Sequence, residues 1–184
     1  GISSSAALCV ALIKILKNYY KIDIDNKSIA LLAQKTETNY IGINSGIMDQ
    51  MVSSIGKKNK AFFLNCKTYN YELINIPKNY LFNIIDSNID RKLRESSYNE
   101  RFNELKKAQL ILKTKYLNSI SIKEFNKKKF DNAIIKKRAR HVISENERVL
   151  KAKNAMKDGD MDYFGQLMNE SHNSYSKNFN ASNK

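Results

Sequence analysis

The sequence predicts an α+β chain, and two observations carry that reading. Apolar residues follow helical and strand-like periods by turns over the first ~80 residues, then a helical period almost throughout the last ~90. The shift falls near Pro77–Asn88, which divides the chain into residues 1–80 and 81–184. A composition of 42% hydrophobic and 27% charged residues, with one proline and six glycines in 184, is that of a packed globular protein. It excludes collagen and disorder. No apolar run approaches the ~20 residues needed to span a bilayer as a helix.

Each element has a local reason. Leu8, Leu12, Ile15 and Leu16 recur at spacings of three and four behind a serine-rich lead-in, so residues 4–17 are predicted helical with these four on one stripe. A second helix is predicted from Asn26 to Tyr40, with Ile29, Leu32, Ala33 and Thr36 on one side and Asp25 or Asn26 as cap. Gly42 and Gly46 bracket its exit, and Ile47–Ile55 forms a short helix. Strands are predicted at Ala61–Leu64, Tyr69–Ile76 and Leu81–Ile85, with Pro77 separating the last two. From Ser97 the reading is helical. One helix carries Phe102, Leu105, Ala108 and Leu112, another Val142, Val149, Ala152 and Met156, and Asp158-Gly159-Asp160 breaks to a last one.

Thirty-two Lys and Arg against eighteen Asp and Glu give a net charge of +14, but unevenly. Residues 1–90 carry +3, residues 91–153 carry +12 and residues 154–184 carry −1. Basic runs at Lys127–Lys129 and Lys136–Arg140 fall on helical patterns, so solvated helix faces account for them. Basic residues do not alternate with aromatics as in a single-strand binder, and no zinc-finger or RNP signature occurs. No nucleic-acid partner and no membrane partner are expected. A basic nucleic-acid module built on the +12 block stands as the contrasting reading, recognisable by steep salt dependence. Cys9 and Cys66 are too few for a disulfide framework and sit among apolar neighbours, as free thiols in a reducing cytoplasm do. The chain opens on glycine inside a small-residue run, so a longer parent polypeptide is expected.

Two constellations carry chemistry. In Gly1-Ile2-Ser3-Ser4-Ser5-Ala6-Ala7, small residues lead into a helix whose first N–H groups and positive dipole end form an anion site. The alternative is that the serines only cap the helix. In the second, Glu37 and Asp49 flank a loop containing Gly42 and Gly46. Phosphoryl transfer asks a protein to hold metal and phosphate, neutralise charge and orient the attacking hydroxyl, often with an aspartate. The alternative is that both acids are ordinary helix-terminal charges. His141 and His172 share no metal-ligand spacing and read as structural. Met48, Met51, Met156, Met161 and Met168 read as core fillers, and Tyr19 and Tyr20 as core edges.

Together, Gly1–Ala6 and the later Gly42–Gln50 segment resemble the galactokinases of the GHMP small-molecule kinase superfamily. The resemblance continues in order through Ala61–Thr68, Ile85–Asn88, Ser97–Arg101, Arg138–Glu145 and Leu167–Ser174. It implies a GHMP kinase (ribosomal protein S5 domain 2-like) N-terminal domain portion over 1–80, followed by the first, largely helical part of the C-terminal domain over 81–184. It also implies ATP and Mg²⁺ as cofactors, galactose as substrate and transfer to the sugar C1 hydroxyl, in a cytoplasmic enzyme that is a monomer when intact. Asp49 resembles the catalytic aspartate, and Gly46, Asp49 and Tyr98 the sugar-binding residues. Gly1, Ile2, Ser3, Ser4 and Ser5 resemble the triphosphate loop, and Ser4 and Glu37 the magnesium ligands.

The family's upstream sugar-binding segment and downstream glycine-rich segment do not occur here, so little kinase activity is expected of these 184 residues alone. Ser45, Ser97 and Asp90 depart from the family pattern and bear on nucleotide attraction and sugar specificity. Sibling kinases for N-acetylgalactosamine or L-arabinose, and a catalytically inactive sugar-sensing relative, are the alternatives the resemblance leaves.

Overall fold

The computed structural model describes residues 2–42, 46–86 and 92–182, apart from the side chains of Ile41 and of residues 92–98. The chain forms two compact units, Gly1–Lys78 and Asn79–Lys184.

The first unit is three helices and a hairpin: α1 (Ser4–Tyr19), α2 (Asn26–Thr36), α3 (Met48–Ile55), β1 (Lys60–Leu64) and β2 (Tyr71–Asn75). Asp25 caps α2 by accepting from the Ser28 amide at 2.7 Å. The helix winds into one π turn, Glu37–Ile41, and stops at Gly42, whose φ of 77° lies where a side chain would be strained. Helix α2 buries two faces. Ile29 and Ala33 meet Val10, Cys9 and Ile13 of α1, while Ala30 meets Ile47 and Met51 at α3 together with Phe62 and Leu64 of β1. The strands pair antiparallel with Phe62 opposite Leu73, and Phe62 stacks on the diagonal Tyr71 at 5.2 Å. Helices beside an antiparallel pair are the expected α+β class.

Several expectations fail over residues 1–85. The stripe Leu8, Leu12, Ile15, Leu16 is exposed, and α1 instead buries Ala6 and Val10. The helix is apolar on two sides, and periodicity alone does not say which one α2 covers. Residues 81–85 form no strand; Leu81 and Ile85 are each 89% exposed, because no described strand offers a ladder to pair with. Cys66 sits exposed in the hairpin turn, whereas Cys9 is half-buried. Met48, Tyr19 and Tyr20 are also exposed, the two tyrosines packing edge to face at 4.9 Å.

The second unit contains α4 (Lys92–Leu112), α5 (Ile122–Asn126), α6 (Ala133–Asp158) and α7 (Met161–Ser174), with a 3₁₀ turn at Leu117–Ser119 and a final π turn at Tyr175–Phe179. Ala108 and Leu112 of α4, Leu117, Phe125 of α5, and Ala139 and Ile143 of α6 make its core. A reciprocal Ser121–Glu124 capping box starts α5. Gly159, at φ 77°, ends α6, and Asp160 caps α7 through the Tyr163 amide at 3.0 Å.

The α6 seam runs through Ala139, Ile143 and Met156, leaving Val149 exposed; Met168 is exposed as well, while Met51, Met156 and Met161 are buried. The basic runs are solvated only in part: Lys127–Lys129 are exposed but follow α5 in a turn, and on α6 Lys137 is exposed while Arg138 is buried, with its Nε 2.9 Å from Glu104 Oε2. Glu104 lies within one side-chain length of two guanidinium groups. Burial opposes its ionisation, but hydrogen bonds from Arg101 and Arg138 outweigh burial and hold its carboxyl below the usual value. Among the described residues no helix is long and apolar enough to cross a membrane.

Candidate active site

At the start of α1, Ser3 adopts a left-handed conformation, φ 52°, that residues with a Cβ enter at a cost of roughly 1 kcal/mol. Its carbonyl accepts the first helical bond, from Ala7 N at 3.0 Å, but its side chain makes no capping bond. The amides of the first turn are thus left without a cap from Ser3, and the plain capping reading fails at that residue. Ser4 is exposed and Ser5 half-buried, while Ile2 is exposed. Gly1 lies outside the described residues.

Glu37 closes α2 and is 2% exposed; Gln50, in α3, is 1% exposed. The Gln50 side-chain amide Nε2 donates to Glu37 Oε2. Gln50 Oε1 is buried and has no hydrogen-bond partner among the described residues. A buried acceptor without a donor costs about 1–3 kcal/mol, so this pair is expensive for so small a unit. Burial and then the Glu37 charge push the Cys9 thiol up from its ordinary value. Ser5 lies one turn before Cys9 on the same face of α1.

A second tie joins the three helices. Lys14 Nζ donates to the Ser54 carbonyl at 2.9 Å, and Ser54 Oγ donates to the Asn26 carbonyl at 2.7 Å. Together with the Glu37–Gln50 bond, these ties hold α1, α2 and α3, and the first turns that carry Ser4 and Ser5 and Met48 and Asp49, in one packed unit.

Asp49 is half-buried in that first turn, where the helix dipole favours a carboxylate. Gly46 is exposed, and a Cβ there would meet nothing within 4 Å, so packing does not demand glycine and its backbone face is open to an incoming group. Ile43, Asn44, Ser45 and Asp90 lie outside the described residues. Tyr98 is placed in α4, its side chain outside the described ones, as is that of Ser97.

Among the described residues no three His, Cys, Asp or Glu groups cluster around a metal position, and no hydrogen bond joins Glu37 to Ser4 or Asp49. A buried carboxylate and a serine hydroxyl are nevertheless hard oxygen donors. They suit an ion that takes few protein ligands and keeps waters and phosphate oxygens for the rest.

The sequence reading missed Gln50. Its signal was a polar amide directly after the motif aspartate, at a helical position whose neighbour Met51 is core. In the second unit it treated His141 as simply structural. That ring is buried against Tyr175 and Phe179, with Nδ1 2.9 Å from Ser174 Oγ and 3.9 Å from Glu145 Oε1. Burial, then the charges of Arg148 and Arg138, push its pKa down to about 4, so it is a neutral core group.

Comparison with known proteins follows the same line. Residues 1–57 match the GHMP kinases N terminal domain. The chain is 41% identical over 192 residues to a galactokinase from Lactobacillus helveticus, across 100% of this chain and 49% of that protein. The crystal structure of Lactococcus lactis galactokinase complexed with galactose matches with a TM-score of 0.87 at 33% identity, covering 96% of this chain and 47% of that one. The chain thus spans about half the length of the relatives it matches.

Proposed function

We propose that this chain, which belongs to the GHMP kinases, is the phosphate-holding and base-bearing part of a galactokinase that moves the γ-phosphoryl group of ATP to the C1 hydroxyl of α-D-galactose. Residues 1–80 serve as the later part of the N-terminal domain and residues 81–184 as the opening of the C-terminal domain. The observation that supports the reading is that α1, whose first turn has no cap from the Ser3 side chain, and α3, whose first turn carries Asp49, both pack on α2 and are tied by the Lys14–Ser54 bond.

In this reading the α1 first turn, Gly1 through Ser5, holds phosphate oxygens by its amides and hydroxyls. Asp49 orients the sugar C1 hydroxyl and accepts its proton as the oxygen bonds to phosphorus and ADP leaves. Aspartates as a class, with pKa near ~3.9, are weak bases towards a sugar hydroxyl, so position and charge stabilisation supply most of the rate. The open backbone of Gly46 and the phenol of Tyr98 hold the sugar. Ser4 and Glu37 hold Mg²⁺, which when bound neutralises charge developing on the phosphates. The intact enzyme is cytoplasmic and monomeric in this reading, as the resemblance implies.

The test is coupled ADP release by the whole protein, with galactose, N-acetylgalactosamine and L-arabinose offered in parallel. Galactose is expected to be preferred, and Asp49→Asn to lower turnover about 10²–10⁴-fold with the fold intact by circular dichroism. Full turnover by Asp49→Asn would remove the aspartate from its role. Preference for another sugar would move the assignment to a sibling kinase, and no turnover with any sugar to a sensor.

A further inference from the structure

The buried Glu37–Gln50 pair presents a polar atom that nothing in the fold uses. Glu37 ends α2 and Gln50 belongs to the first turns of α3, so the bond between them crosses two elements that also meet through Ala30, Ile47 and Met51 and through the Ser54–Asn26 bond. An apolar side chain at position 50 would continue that core, and its neighbour Met51 does so. Instead a glutamine is fully enclosed. Its Nε2 is committed to Glu37 Oε2, and its Oε1 is left with no donor. With the Gln50 nitrogen facing the carboxylate, the amide oxygen faces away from it. A carboxylate held at one oxygen keeps its other oxygen in a fixed direction, and the free amide oxygen beside it adds a second acceptor. A buried acceptor without a donor, set beside a carboxylate, favours a neighbour that donates or is positive.

We propose that Gln50 is a positioning residue for Glu37: its amide fixes one carboxylate oxygen so that the other is aimed at the magnesium ion, and its free Oε1 accepts from a water in that ion's shell. This rests on the reading of Glu37 as a magnesium ligand. It adds a residue that sits outside the ligand set and acts through it, as outer-shell partners of metal sites do. It also accounts for a buried polar side chain next to the proposed catalytic aspartate, where an aliphatic one would pack better.

Binding of Mn²⁺, used as the probe, is measured by electron paramagnetic resonance on the whole protein in the presence of ADP. The variants are Gln50→Met, which keeps the length and loses both polar atoms, and Gln50→Asn, which keeps the amide but draws it back by one methylene. Each is expected to weaken Mn²⁺ binding about 10-fold or more, with metal-free ADP binding and galactose binding unchanged. A merely structural glutamine would instead change thermal stability and leave the Mn²⁺ constant where it was. Wild-type Mn²⁺ affinity in the folded variants overturns the proposal. Should Gln50→Met fail to fold, Gln50→Asn decides alone. Glu37→Gln separates the two levels. If it leaves Mn²⁺ binding intact, the ligand reading of Glu37 is wrong and the proposal falls with it. If it weakens binding while the Gln50 variants do not, only the role of Gln50 is lost.

Discussion

Acidification between pH 7 and pH 5 is expected to destabilise the second unit through His141. The unfolded imidazole titrates near 6.5, and in the fold burial and the facing charges of Arg148 and Arg138 lower this to about 4. Because the folded value lies below the unfolded one, the unfolded chain binds more protons throughout that window. Stability is therefore full above about pH 6.5 and falls as pH drops towards about 4, where the difference is complete. Linkage over the two units from pH 7 to pH 5 gives about 1.8 kcal/mol as a ceiling. Glu145, 3.9 Å from Nδ1, favours the protonated ring, which brings the expectation to about 1 kcal/mol. The assay is urea denaturation at pH 7 and pH 5, for wild type and for His141→Gln. It is followed by circular dichroism at 222 nm, a wavelength set by the helical backbone, because the sequence holds no tryptophan. The variant should lose the His141 share of the pH dependence, so the two proteins should differ in their pH 7 to pH 5 change by about 1 kcal/mol. Equal slopes would show that His141 is not buried neutral and would refute the reasoning. Glu104 contributes in the opposite region: its carboxyl is held low, so its share persists above the ordinary carboxylate range and is lost only at more acid pH.

Two further outcomes probe the same unit. Phe125, fully buried with Phe130 at 5.5 Å and the Arg140 guanidinium 5.4 Å from its ring centroid, should cost about 3–5 kcal/mol on Phe125→Ala and less than half that on Phe125→Leu, read from denaturation midpoints. Arg138→Met strips Glu104 of one guanidinium while Arg101 remains 2.5 Å away, so a loss of about 2–4 kcal/mol is expected. A double-mutant cycle with Glu104→Gln should show the two changes to be strongly coupled; additive changes would mean that the pair is not formed.

What the sequence disclosed was whatever local chemistry decides. Asp25 before a helical pattern is a cap whatever surrounds it, and Gly42 and Gly159 end helices because their φ of 77° suits a residue without a Cβ. The Ala61–Leu64 and Tyr69–Ile76 strands were legible because their partner is the next strand. Where the deciding contact is distant, legibility ended. Residues 81–85 have strand-like residues but no neighbouring strand, and a strand exists only as a pair. Lys136, Lys137 and Arg138 look alike in a row, yet only Arg138 finds an acid, thirty-four residues away in α4. The face α1 turns inward is set by α2, which shows Val10 the small side of Ile29 and Ala33.

The candidate site divides in the same way. Its residue types were legible, because a serine-rich helix start and a glycine-flanked aspartate are local patterns. Its internal support was not, because that support is a bond between positions thirteen apart on different helices. The distinction bears on mechanism. A weak base and a metal ion accelerate phosphoryl transfer only when held in place, and a displacement of about 1 Å can cost on the order of 100-fold in rate. In the first unit, α2 forms the middle of the packing, touching α1 through Ile29 and Ala33 and α3 through Ala30. Any substitution that shifts α2 would therefore move Glu37 relative to both helix starts at once. Ala30 and Ala33, each fully buried, are the positions where an added methylene would be felt at the site without touching it.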